Sequence, residues 1–214
     1  MDKKIAAIRK DYSHRILTED EVSPNPIQQF EKWWQEAIEA KIEEVNAMVL
    51  ATASTDGVPS ARVVLLKDYS EEGFVFFTNY NSIKGKQLSE NPKASLVFFW
   101  KELERQVRIT GLVERISAKQ SDEYYEIRPE ASRISAWASS QSQVIESREW
   151  LDEQFNKIGR QMEGSNIQRP PYWGGYIVNP IIVEFWQGRP NRLHDRIQYT
   201  MEEDGKWIME RLAP

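Results

Sequence analysis

The feature that most restricts the fold is a series of five short β-type runs between residues 47 and 116, with little chain between them. Residues 47–53, 60–67, 73–78, 94–100 and 106–116 are rich in β-branched and aromatic side chains, and turn signals such as Asp56-Gly57 and Glu72-Gly73 separate them. Successive parallel strands need a crossover of about a dozen residues or more, usually a helix. Most of these gaps are too short for one, so the strands are expected to pair antiparallel. The pattern resumes after Pro170-Pro171 with 175–178, 181–186, 197–200 and 207–212, the last two flanking a hairpin loop at 201–205. Helices are expected in four places. Asn25 caps the first and Pro26 opens it, with Ile27, Phe30, Trp34, Ala37, Ile38 and Lys41 at helical spacing. A second runs over 82–90, capped by Ser82 and ended before Pro92; the others cover 119–127 and 146–163. Eight or nine short strands with a few attached helices predict a mainly β chain with flanking helices, an antiparallel barrel rather than a βαβ sheet. With no internal repeat or long linker, residues 1–214 are expected to form a single domain, with 1–24 a mobile N-terminal segment.

Composition removes whole classes of chemistry. The 214 residues hold no cysteine, which excludes disulfides, thiolate nucleophiles, iron–sulfur clusters and Cys-ligated zinc. Only His14 and His194 remain for an imidazole role, so a metal site or a Ser-His-Asp triad is a poor reading and no metal is expected. With 28 Lys+Arg against 33 Asp+Glu the net charge is -5, giving no global field toward nucleic acid or anionic lipid. Any anionic ligand must then be held by a local cluster. The N-terminal residues show no apolar run of signal-peptide length, and the most hydrophobic stretch, 47–53, falls far short of the about 20 residues that span a bilayer. A cytoplasmic protein is expected.

Four constellations carry chemistry. In Arg62-Val-Val-Leu-Leu-Lys67 two cations bracket an aliphatic run, and five residues apart on a regular strand they face opposite ways and serve different groups; a buried strand with charged ends is the plainer alternative. The run from Thr78 to Lys86 passes from a strand end into a helix start, where free N–H groups, a serine and Lys84 suit a phosphate, or form an ordinary solvated helix start. Tyr124, Arg128 and Ser132 recur every four residues as donors to phosphate oxygens, although Pro129 is expected to stop the helix and leave Ser132 in the following turn. Finally, if the chain after Pro190 is extended, Arg192, His194 and Arg196 share a face, which needs an anionic or electron-rich ligand; the alternative is a loop of ion pairs using Asp195 and Glu184.

These segments, together with Glu104-Arg105-Gln106-Val107, Ser140-Gln141-Ser142, Tyr172-Trp173-Gly174-Gly175, Glu184-Phe185-Trp186-Gln187-Gly188 and the terminal Arg211-Leu212-Ala213-Pro214, closely resemble the pyridoxine (pyridoxamine) 5'-phosphate oxidases, in order and spacing over nearly the whole chain. The resemblance implies an FMN-binding split β-barrel that works as a homodimer, with FMN at the subunit interface. It implies oxidation of pyridoxine 5'-phosphate or pyridoxamine 5'-phosphate to pyridoxal 5'-phosphate, with O2 as acceptor and hydrogen peroxide as product. FMN would be held by Arg62, Val63, Leu65, Leu66, Lys67, Phe77, Thr78, Lys84, Gln106, Gln141, Ser142, Trp186 and Arg196. The substrate phosphate would sit among Lys67, Tyr124, Arg128 and Ser132, with Arg192 and His194 over the pyridine ring as the catalytic pair and Arg9 and Tyr12 on a segment that closes over the substrate. One position departs from the family: Ile83 stands where a basic residue usually accompanies Lys84, and Lys86 follows two positions on. A non-catalytic flavin or pyridoxal-phosphate carrier on the same barrel is the alternative; it would need the phosphate grips but not Arg192 and His194.

Overall fold

The computed structural model describes Ala7, Tyr12 and residues 15–214. Of the expected closing segment, Arg9 lies outside the described residues. The elements are α1 (Pro26–Glu39), β1 (Ala47–Ala53), β2 (Pro59–Leu65), β3 (Asp68–Ser70), β4 (Gly73–Asn79), α2 (Ile83–Glu90), β5 (Lys93–Trp100), β6 (Arg105–Arg115), α3 (Ala118–Glu126), α4 (Glu130–Ala138), α5 (Arg148–Met162), β7 (Trp173–Gln187), β8 (Asp195–Met201) and β9 (Trp207–Arg211). The strand order is β2-β1-β5-β6-β7-β4-β3, with β8 on β7 and β9 on β8. The result is mainly β with flanking helices, as the turn-punctuated pattern predicts.

The chain divides into two compact units. One takes the described residues up to Leu50 with Ser95–Gly111 and Pro180–Pro214; the other takes Ala51–Ala94 and Leu112–Asn179. In the first, Asn25 Oδ1 accepts the Ile27 and Gln28 N–H groups, satisfying donors that a helix start leaves open, and Pro26 has no N–H to satisfy. The buried stripe of α1 is Pro26, Ile27, Phe30, Trp33 and Ala37, so Trp33 rather than Trp34 enters the core. Phe30 meets Phe98 at 5.2 Å and Trp33 meets Phe185 edge-on at 5.2 Å, while Phe185 also packs on Tyr199. Burying each such ring contributes about 1.5–3 kcal/mol relative to leaving it in water. Within the stretch expected to be mobile, Leu17 is buried, its N–H donates to Asp195 Oδ2, and its carbonyl accepts from Arg211 Nη2.

In the second unit, β4 pairs antiparallel with β7 from Phe74↔Val178 to Asn79↔Trp173, and β3 returns on β4. A core of Tyr125, Ile134, Ile167 and Trp173 ties α3 and α4 to this sheet, with Phe155, Ile158 and Met162 of α5 packed against it. Two expected strands, 175–178 and 181–186, are one strand, β7. Its antiparallel partner along the stretch before Pro180 is β4 and the one after it is β8, a natural place for a residue with no N–H to give to a ladder. The break at Pro129 is real, but a new helix starts there, so Ser132 lies in the first turn of α4 rather than in a turn. Gly85 lets α2 close on the end of β4: a Cβ there would lie 2.2 Å from the Tyr80 carbonyl oxygen.

Candidate functional site

A cavity of about 480 Å³ opens in the second unit. Val63, Val64 and Leu65 of β2, Lys67 just beyond it, Phe77 and Thr78 of β4, Lys84 of α2, Tyr124 of α3, Arg128, Pro129, Ser132 of α4, Gln141 and Trp173 line it. Among the described residues, three cations and no carboxylate line this space, in a chain whose net charge is -5. The cations form two groups. Lys84 Nζ donates to Thr78 Oγ1 at 3.2 Å and Gln141 Oε1 at 3.1 Å, and Thr78 Oγ1 also donates to Gln141 at 3.2 Å. Burial pushes the Lys84 pKa down and the nearby Arg62 guanidinium pushes it further. Two cations close together repel until an anion joins them.

The other group is built on aromatic rings. Phe77 stacks on Tyr124 at 3.9 Å and on Trp173 at 5.4 Å, and Arg128 lies over Trp173 at 4.4 Å and Tyr125 at 5.6 Å. Arg128 Nη1 is buried with no hydrogen-bond partner, and burial lowers the Arg128 pKa. Lys67 Nζ sits 6.0 Å from the Tyr124 ring. An unpaired buried guanidinium N–H in a cavity that other cations also line suits an anionic oxygen as its acceptor. The cavity therefore brings together Lys67, Tyr124, Arg128 and Ser132 with Lys84, Thr78, Gln141, Phe77, Val63 and Leu65. Leu66 is buried, and Arg62 and Ser142 are not among the lining residues; Ser142 is exposed with a left-handed backbone, φ 70°.

The remaining candidates lie in the first unit. Trp186 and His194 rings are 4.6 Å apart, and Tyr12 meets them edge-on at 5.8 and 6.0 Å. A Cβ on Gly188 would lie 2.7 Å from Tyr12 Cγ, so only glycine admits the ring. His194 Nδ1 accepts the Arg189 N–H at 3.1 Å, which requires that nitrogen to be unprotonated. Burial lowers the His194 pKa and Arg192 lowers it further, with Asp195 opposing. The extended face expected for Arg192, His194 and Arg196 does not form. Pro190–Arg192 is a short 3-10 turn, Asn191 and Arg192 have φ of 56° and 61°, and β8 starts only at Asp195. Pro190 fixes the entry to that turn, and two left-handed residues break the period of two.

Arg196 is clamped. Its Nε and Nη2 donate to the two oxygens of Glu184 at 3.0 and 3.1 Å, and Arg108 Nη1 reaches the same carboxylate at 3.2 Å. Asp195 in turn pairs with Arg211 and Arg189. The ion-paired loop and the ring-bearing cluster thus coexist. Gln106 stands half-buried on β6, two residues before Arg108. From the sequence Glu184 is expected only as an acid of an ion-paired loop with Asp195, and here it holds Arg196; Arg108 was not singled out, and its spacing of two from Gln106 is the signal that would have found it. Among the described residues no group of three or more His, Cys, Asp or Glu could hold a metal, and no helix is long and apolar enough to cross a membrane.

The donor set fits a phosphorylated cofactor such as FMN together with a second phosphate, because one cavity, without a carboxylate among its described lining residues, offers two cation groups and a buried unpaired N–H. Comparisons with known proteins show the family. Residues 34–161 match the family model described as pyridoxamine 5'-phosphate oxidase, and 173–214 match the pyridoxine 5'-phosphate oxidase C-terminal dimerisation region. Curated relatives named pyridoxine/pyridoxamine 5'-phosphate oxidase include one from a Nostoc species, 54% identical over 100% of both chains, and one from Salinibacter ruber, 53% identical over 99% of both. Among solved structures, PhzG from Burkholderia lata in complex with tetrahydrophenazine-1-carboxylic acid has a TM-score of 0.88 at 30% identity, covering 94% of this chain and 100% of that one. A pyridoxamine 5'-phosphate oxidase-related, FMN-binding protein from Nostoc punctiforme shares the fold, with a TM-score of 0.70 at 16% identity over 91% of this chain and 99% of that one.

Proposed function

Because the chain belongs to the pyridoxine/pyridoxamine 5'-phosphate oxidase family, a family of split-barrel oxidoreductases, we propose that it oxidises pyridoxine 5'-phosphate or pyridoxamine 5'-phosphate to pyridoxal 5'-phosphate in the cytoplasm. The alcohol substrate plus O2 gives the aldehyde and hydrogen peroxide; the amine substrate also consumes water and releases ammonia. When bound, FMN supplies a two-electron acceptor that O2 reoxidises. The protein works as a homodimer in which both copies contribute to each FMN site, a reading supported by the C-terminal dimerisation region.

In this reading Arg62 and Lys84 neutralise the FMN phosphate with help from Thr78, Gln141 and Ser142, while Val63, Leu65 and Leu66 form the strand beside the cofactor. Gln106, Trp186 and Arg196 meet the flavin, the last held in place by Glu184. Lys67, Tyr124, Arg128 and Ser132 grip the substrate phosphate. Arg192 and His194 orient the pyridine ring so that C4′ presents its hydrogen, and Tyr12, with Arg9, helps exclude water. His194 takes part as a neutral ring, as its lowered pKa favours.

The observation that carries this reading is a cavity whose described lining holds three cations and no carboxylate, and in which Arg128 has a buried N–H without a partner. The test is aerobic turnover by FMN-loaded protein, following aldehyde and peroxide with pyridoxine 5'-phosphate and with unphosphorylated pyridoxine. Equimolar aldehyde and peroxide from the phosphate ester, with little from the free alcohol, is expected. Tight binding of the ester with no turnover would instead identify a carrier.

A further inference from the structure

We propose that Gln87 is a positioning residue for the cofactor phosphate: through two hydroxyl groups it fixes the direction of Arg62 with a clamp that carries no charge of its own. The inference rests on the FMN reading above. Arg62 Nη1 donates to Thr52 Oγ1 at 2.6 Å and its Nη2 donates to Ser60 Oγ. A guanidinium can only donate, so both hydroxyls meet it with lone pairs and each must send its one proton elsewhere. Both protons go to the same atom, Gln87 Oε1, at 2.6 Å from Thr52 and 3.0 Å from Ser60. Two donors converging on one atom identify it as the carbonyl oxygen of the amide, so the polarity of the whole network is determined.

The placement ties the two phosphate cations together. Gln87 follows Lys84 by three residues on α2, so the helix that presents one cation also sets the other. Thr52 is buried, where an unsatisfied hydroxyl would be costly. The neutral clamp contrasts with the one on Arg196, whose guanidinium is held by the carboxylate of Glu184. A carboxylate at position 87 would orient Arg62 equally well but cancel the charge that a phosphate needs. Burial lowers the Arg62 pKa.

The experiment compares FMN with riboflavin, which has the same ring system and no phosphate, by flavin fluorescence titration of the apoprotein. Gln87→Leu is expected to weaken FMN binding about tenfold, the loss of roughly one charge-assisted hydrogen bond, and to leave riboflavin binding unchanged. In an Arg62→Ala background the same substitution should cost nothing further. Thr52→Val, which keeps shape but removes one hydroxyl, should weaken FMN selectively, and Thr52→Ser should restore it. A Gln87→Leu protein that binds FMN like the wild type, or that loses both flavins equally while Thr52→Val changes neither, overturns the proposal. A wild type that binds FMN no better than riboflavin overturns the phosphate reading itself, and the inference falls with it.

Discussion

At the scale of single residues, Arg128 pairs a stacked guanidinium with a buried N–H that lacks a partner. Leaving such a donor unsatisfied costs about 1–3 kcal/mol, which a bound phosphate would offset. Arg128→Ala is therefore expected to raise KM for the phosphorylated substrate about 10- to 100-fold with kcat little changed, because ground and transition states share the phosphate grip. Arg192→Ala should lower kcat as well, since ring placement sets the hydride distance. Steady-state kinetics on both variants, each checked for FMN occupancy, decides this; wild-type kcat in Arg192→Ala would make it one more binding cation. Ile83, 54% exposed in the first turn of α2, packs little and can be replaced at small cost to the core. Ile83→Arg should tighten FMN several-fold by adding a charge-assisted contact, and unchanged affinity by titration would show that the existing cations already saturate the phosphate. That Lys67, Lys84 and Arg128 would gather was legible in the sequence, because cations in an acidic chain need a reason to cluster, and they line one cavity. Gln87 was not legible, and Glu184 was legible only as an acid of an ion-paired loop, since their importance lies in which side chains they touch.

At the scale of elements, punctuation made the strands readable. Asp56-Gly57 falls in the turn before β2, Glu72 ends the turn before β4 and Gly73 opens that strand, and the Asn25-Pro26 and Ser82 caps sit where the helices start. Pro129 was read as a stop, but it opens α4 as well, since proline suits a helix start as much as an end. The turn at Pro190–Arg192 was the larger miss: neither Asn191 nor Arg192 signals a left-handed residue pair strongly enough to override an extended reading. That geometry makes a controlled prediction. Arg192→Gly and Arg192→Ala lose the same side-chain contacts, but only alanine keeps a Cβ at φ 61°. The glycine variant should therefore be the more stable by about 1 kcal/mol in denaturant unfolding. The reverse order would show that position 192 is not left-handed.

For the whole molecule, three cations of an acidic chain line one cavity of the second unit, while Trp186, His194, Gln106 and the Glu184 clamp belong to the first. The family region over 173–214 supports a homodimer, and size-exclusion chromatography with light scattering should give twice the 25.1 kDa chain mass. A monomer that still binds FMN tightly would contradict the shared-site reading. On the proposed function, this chain passes two electrons from a phosphorylated pyridine substrate to its flavin. The most direct test of that transfer is to mix FMN-loaded protein with pyridoxine 5'-phosphate in the absence of oxygen. The yellow flavin absorbance should bleach in proportion to aldehyde formed, return with peroxide when air is admitted, and stay unchanged with unphosphorylated pyridoxine at the same concentration. Flavin that stays oxidised in the presence of the phosphate ester would contradict the account.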